Sequence, residues 1–325
     1  MQVIRQLETL TPDVPYALTI GVFDGIHLGH QYLIQQTAQA ARAVDGKAGL
    51  VTFWPHPLEV LRPTLEVRYL TLLEEKLARL ERLGTVDLVI VMPFTPALSL
   101  MPARDFLDLL RRHLNVRVVL EGADFKLGHN REGDMAYLSA YGQEHGVAVQ
   151  TVELSQADHA RISSTRIRLL LGEGSVVEAA ALLGRPYSVS GVVVQGDQRG
   201  RLLGFPTANL EIDAKKTLPA DGVYAVLARV GNEIFQGVAN NGVRPTVDGT
   251  RHLTEVYLLD VARDLYGKVL EIDFIARLRE ERRFAGIEAL KAQIAADVQQ
   301  ARLVLSQEAE REPERGESGE RTLKV

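Results

Sequence analysis

The chain of 325 residues contains no cysteine, which excludes disulfides, thiolate metal sites and cysteine nucleophiles together. That absence fits a reducing cytoplasm. Positive charge is not in excess either: the net charge is −5, so there is no general basic footprint for nucleic acid, though a local basic patch stays open. No segment approaches the roughly 18 uninterrupted apolar residues of a membrane span, and MQVIRQLETLTPDVP at the N-terminus has no apolar signal core. The expectation is a cytoplasmic protein with neither a membrane nor a nucleic-acid partner. A homo-oligomer is compatible with all of this.

What is present is the composition of a globular protein, 46% hydrophobic and 24% charged, at a length that suggests two domains. From Ala17 to about Leu154 apolar runs alternate with helical patterns: ALTIGV, a helix to about Val44, GLVTFW, a helix over Leu72–Leu83, VDLVIVMPF, a helix over Ala103–His113, VRVVLEG, a helix over Met135–His145, then VAVQTVEL. Such alternation specifies a parallel sheet with helices on both faces. Thr71 with Glu74 reads as a capping box, and Gly46 and Gly84 fall just past helix ends.

Two short helices follow, Ser164–Leu171 and Val176–Leu183, and then the texture changes. YSVSGVVVQ, TANLEI, GVYAVLARV, HLTEVYLLDV and KVLEIDFIARL are separated by glycine or proline turns, the spacing of an antiparallel sheet or barrel. A last helix, about Ile287–Leu305, carries Ile287, Leu290, Ile294 and Val298 at helical spacing. The expected domains are 1–184 and 185–305, with 306–325 a charged, disordered tail.

The stretch GVFDGIHLGH lies at the carboxyl end of the first strand, where ligands of open parallel sheets sit. Gly25 and Gly29 let backbone approach a phosphate, and the helix starting near His27 aims its free N–H groups there. His27 and His30, at i and i+3, share a face of its first turn and can bond the same phosphate oxygens. Zinc ligation is the rival, although the i, i+4 spacing with an intervening glutamate is absent; simple helix capping is another. RISSTRIR, residues 161–168, offers hydroxyls and arginines at a second helix start, suited to outer phosphates or to ordinary capping.

HLGH after GVFDG resembles the HxGH signature of the nucleotidylyltransferase superfamily, and RISSTRIR resembles its ISSTxIR motif. The resemblance implies a Rossmann-like fold and adenylyl or cytidylyl transfer. Gly21, Phe23, Asp24, Gly25, Gly29, Ser163, Ser164, Thr165 and Arg168 would bind the nucleotide. His27 and His30 would stabilise the α-phosphate, and Arg166 or Arg168 the departing pyrophosphate. TFWPHP (52–57) and EGADFKLGHNREGD (121–134) are similar to segments of bacterial flavin adenylyltransferases, which implies flavin contacts from Phe53, His56 and Asp124. Leu127 departs from the phenylalanine common there.

The second concentration of unusual residues is GDQRGRLLGFPTANL, 196–210. Gly196, Gly200, Arg201 and Gly204 form a basic glycine loop that can hold phosphate or simply turn a hairpin. Thr207 and Asn209, at i and i+2 of a strand, face one way and offer hard oxygens suited to Mg2+. GFPTAN resembles the riboflavin kinase signature, and NNGVRPTVDG, LTEVYLLD and the segment from Asp264 to Phe284 resemble the rest of that module, with Asn241 where the family is usually apolar. On pattern alone Glu255 is an outward strand residue; the resemblance makes it the base for the riboflavin 5′-hydroxyl.

The joint implication is phosphorylation of riboflavin to FMN, then AMP transfer from ATP to FMN giving FAD and pyrophosphate, with ATP and Mg2+ required. The alternative is an adenylyltransferase for another phosphorylated metabolite with a regulatory flavin-binding barrel. A flavin-sensing or RNA-binding module with a degenerate nucleotide site is a rival of another class, and both intact motif sets weigh against it.

Overall fold

The computed structural model describes residues 1–10, 13–153, 156–157, 160–196, 200, 203–246, 249–261 and 263–316. Two compact units divide it after Ser164.

The first unit is a six-stranded sheet in the order β1-β4-β3-β2-β5-β6, every pair parallel. Its strands are β1 (Gln2–Ile4), β2 (Pro15–Ile20), β3 (Lys47–Trp54), β4 (Leu88–Pro93), β5 (Asn115–Gly122) and β6 (Ala148–Val152). Both faces are covered because successive strand residues point opposite ways and both kinds are apolar. Leu18, Ile20, Val51, Ile90 and Val119 pack under α5 (Ala103–His113) and α6 (Met135–His145), where Phe106, Leu110 and Leu138 meet them. Ala17, Leu50, Val89, Val118 and Leu120 pack under α1 (Leu28–Ala43) and α3 (Leu73–Leu83) through Ile34, Ala38, Leu77 and Leu80. Two short helices, α2 (Pro57–Leu61) and α4 (Pro96–Ser99), lie in the loops that follow β3 and β4. A two-residue ribbon, β7 (Gln156–Ala157) with β8 (Ala160–Arg161), precedes the boundary.

The second unit holds α7 (Ser164–Glu173) from Thr165 on, α8 (Val176–Leu183) and a closed barrel ordered β10-β13-β12-β11-β14-β9. The barrel strands are β9 (Tyr187–Val194), β10 (Thr207–Glu211), β11 (Gly222–Val230), β12 (Glu233–Thr246), β13 (Gly249–Leu258) and β14 (Val269–Arg279). The two short helices are tied to it. Ala220 N–H donates to Leu171 O at 2.8 Å, and Arg277 donates to Asp221 O at 2.6 Å and to Glu173 O at 3.4 Å.

The last helix, α9 (Ile287–Gly316), lays Val298, Ala301 and Leu305 on Val223, Ala225 and Val238 of the barrel. It runs past residue 305 to Gly316. Residues 317–325 of the expected tail lie outside the described residues.

A buried ion pair latches α9. Asp297, 2% exposed, takes Nε and Nη2 of Arg279 at 2.8–3.1 Å, and Gln293 Nε2 at 2.7 Å. Asp297→Ala should lower unfolding stability by about 3–5 kcal/mol, since the guanidinium loses its partner. Chemical denaturation would read this directly, and an unchanged midpoint would mean the pair holds nothing.

Candidate active sites

The loop after β2 is held in backbone conformations that need support. Phe23 and Ile26 have φ of 51° and 42°, and Gly25 has 82°. The support comes from the segment entering α3. The buried Asp24 carboxylate accepts Thr71 N–H at 2.9 Å and Leu70 N–H at 3.1 Å, and Thr71 Oγ1 accepts Gly25 N–H at 3.0 Å. Thr71 is thus spent on the loop, and the cap lies one residue on from the expected one: Leu72 N–H donates to Glu75 at 2.9 Å. Ser164 Oγ donates to Asp24 O at 2.8 Å, fastening the start of the second motif to the first.

His27 caps α1, its Nδ1 accepting His30 N–H at 3.3 Å, which places the ring proton on Nε2. The two imidazoles stack, centroids 3.6 Å apart and planes 17° apart, with Phe23 edge-on to His30 at 5.1 Å. A side chain at Gly29 would press on the His27 ring at 3.3 Å, and one at Gly21 on Phe23 at 3.2 Å, so these glycines also set the ring positions. His30 Nδ1 is buried with no hydrogen-bond partner among the described residues. Burial first, then the neighbouring His27 and Lys76, hold His30 well below the ordinary imidazole value. An anion arriving here would reverse that balance.

Lys76 escaped the sequence reading. It is 1% exposed, and Nζ donates to Val22 O at 2.6 Å and to Thr52 Oγ1 at 3.2 Å; burial pushes its pKa down to about 8 against the pull of Asp24. The available signal was a lysine inside the Leu73, Leu77, Leu80 stripe of α3. Glu121, fully buried at the end of β5, also went unassigned. Thr165, Arg166 and Arg168 occupy the first turns of α7, with Ile167 buried among them. No group of three or more metal-ligating His, Cys, Asp or Glu side chains occurs among the described residues.

Of the expected flavin contacts, Phe53 is half-buried, edge-on to Phe94 at 5.6 Å and tilted to Phe106 at 6.2 Å. His56 caps α2, its Nδ1 accepting Leu58 N–H at 3.1 Å, and its own N–H donates to Tyr69 Oη at 2.8 Å. Asp124 is exposed in the turn after β5.

In the barrel, strand register assembles the second set. Asn209 stands opposite Glu255, Thr207 opposite Tyr257, and Glu255 opposite Asn240 on its other side. Directly opposed residues share a face, so Thr207, Asn209 and Glu255 point the same way. Asn209 Oδ1 is buried with no hydrogen-bond partner among the described residues. The glycine loop presses on both oxygens. A Cβ at Gly196 would lie 2.7 Å from Asn209 Oδ1, and one at Gly200 would lie 3.2 Å from Thr207 Oγ1. Gly204 has φ of 88°, while Arg201 lies outside the described residues. A cavity of about 490 Å³ opens beside Thr207, lined also by Pro206, Val256, Arg263, Asp264 and Tyr266. A larger, more open concavity of about 670 Å³, between β1 and α3, includes none of the candidate residues.

Asn241, the departure from the family's apolar residue, is fully buried and satisfied. It donates to Pro219 O at 2.5 Å and accepts from Thr254 Oγ1 at 3.0 Å, next to Glu255.

Residues 11–166 match the FAD synthetase family model and residues 183–305 the riboflavin kinase model. The chain is 40% identical over 306 residues to the bifunctional riboflavin kinase/FMN adenylyltransferase of Escherichia coli strain K12, covering 93% of this chain and 97% of that one. The namesake of Listeria monocytogenes is 39% identical, covering 89% and 92%. A crystal structure titled macrolide-efflux protein, from Streptococcus pneumoniae, superposes with a TM-score of 0.86 at 29% identity, covering 93% of this chain and 98% of that one. That title belongs to that protein. No helix among the described residues here is long and apolar enough to cross a membrane.

Proposed function

Because the chain belongs to the bifunctional riboflavin kinase/FMN adenylyltransferase family, making FMN from riboflavin and FAD from FMN, we propose which of its residues serve each reaction. Adenylyl transfer is assigned to residues 1–184 and riboflavin phosphorylation to 185–305.

In adenylyl transfer the FMN phosphate attacks the α-phosphorus of ATP and pyrophosphate leaves, so the protein has to position and neutralise charge. The observation that carries this assignment is the stacked His27–His30 pair at the start of α1, with the His30 ring nitrogen buried and unpartnered. A phosphate oxygen would satisfy that nitrogen and favour the imidazolium. Lys76 and Asp24 hold the loop from beneath. Arg166 and Arg168 are assigned to the departing pyrophosphate by their motif.

In the kinase reaction the riboflavin 5′-hydroxyl attacks the γ-phosphorus of ATP, its proton passes to Glu255, and ADP leaves. The unpartnered Asn209 Oδ1 and the Thr207 hydroxyl fit a magnesium ion, which takes few protein oxygens and completes its shell with water and phosphate. Held by these two oxygens, such an ion would supply positive charge against the phosphates of ATP. Asn209→Ala should raise the Mg2+ concentration needed for riboflavin phosphorylation by about tenfold or more, while FAD formation from added FMN keeps its magnesium dependence. Equal magnesium curves for variant and wild type in the kinase assay would remove Asn209 from the site. Absent cysteine supports a cytoplasmic setting for both steps.

A further inference from the structure

The strand order of the parallel sheet reverses between β2 and β5, and there the two strands part. Their pairing ends at Leu18 opposite Val119. Two residues further along β2, the Ile20 N–H donates to a side chain, Glu121 Oε1, at 2.5 Å. The Thr19 hydroxyl reaches the same oxygen at 3.5 Å. Glu121 is 2% exposed and lies beside the apolar cluster of Leu18, Ile20 and Val119. Both hydrogen bonds fall on one oxygen, too little to hold a buried anion. Burial outweighs them and raises the carboxyl pKa well above its ordinary value.

Ile20 is the last residue of β2, and Gly21 begins the loop that carries Phe23, Asp24 and His27. On its other side that entry is tied by Gly21 N–H to Val51 O at 2.9 Å. The loop is therefore launched from two anchors, one on β3 and one supplied by Glu121.

We infer that Glu121 is a positioning residue for adenylyl transfer: its buried carboxyl takes the Ile20 N–H where β2 and β5 diverge and so sets the height of His27 and His30 above the sheet. It acts through the loop and touches no reacting atom. The inference rests on the assignment of this loop to the nucleotide.

The test compares Glu121→Gln and Glu121→Leu in the full chain. Gln keeps an acceptor for Ile20 without charge; Leu fills the volume and removes the acceptor. FAD formation from FMN, riboflavin phosphorylation and the thermal midpoint are measured for each. E121Q should stay within about twofold of wild type, because the hydrogen bond survives. E121L should lose about 10- to 100-fold in kcat for FAD formation, the scale of a 1 Å misplacement, with riboflavin phosphorylation unchanged. An E121L enzyme with wild-type kcat overturns the inference. So does an E121Q enzyme as impaired as E121L, since the acceptor would then not be what matters. If E121L does not fold, E121M replaces it and is read in the same way. A His30→Ala control separates the levels. If it still makes FAD, the loop assignment fails; if it is inactive while E121L is normal, only the role of Glu121 fails.

Discussion

His30→Ala should stop FAD formation while FMN accumulates. The His30 ring stacks on His27, meets Phe23 edge-on and keeps a buried nitrogen without a partner among the described residues, so its removal takes away a group suited to an anion. Loss of one preorganised donor at developing charge lowers kcat by about 10²–10³-fold. Riboflavin phosphorylation is assigned to other residues, Thr207, Asn209 and Glu255, and conversion of riboflavin to FMN should continue at its usual rate. A chromatographic time course with riboflavin, ATP and magnesium reads both steps at once. A folded variant that had lost both activities would sink the separation into two sites.

The converse variant, Glu255→Gln, should block riboflavin phosphorylation and spare FAD synthesis from added FMN. An amide matches the carboxylate in size and cannot take the hydroxyl proton. General-base catalysis is worth about 10²–10⁴-fold, and the loss should fall in that range. The strand pairings of Glu255 with Asn209 and Asn240 are made by backbone and survive the change. Equal failure with riboflavin and with FMN as substrate would refute the role.

The helices were the legible part of the sequence. Ala103–His113, Met135–His145 and Val176–Leu183 lie where periodicity and caps place them, because one apolar stripe per helix suffices to bury it. The i, i+3 spacing of His27 and His30 led directly to their stacking. Features that depend on partners distant in the chain were hidden. The three-residue β1 at the sheet edge is too short to carry a period. Thr71 looked like a cap because nothing local shows that Asp24, 47 positions away, claims it. Lys76 and Glu121 drew no reading from the sequence, and only their burial and hydrogen bonds tie them to the loop. The approach of Asn209 to Glu255 is a matter of cross-strand register, which no single segment contains.

That register has a safeguard. A slip of one residue between β12 and β13 would exchange the faces of Thr254 and Glu255. It would also strand the Asn241 carboxamide, now joined to Thr254 and the Pro219 carbonyl, as unpaired polar atoms in a dry interior. Asn241 thus works as an alignment check. The barrel can close with Glu255 on the face of Thr207 and Asn209 or leave a buried amide unanswered, and a misaligned chain is penalised before the barrel is complete.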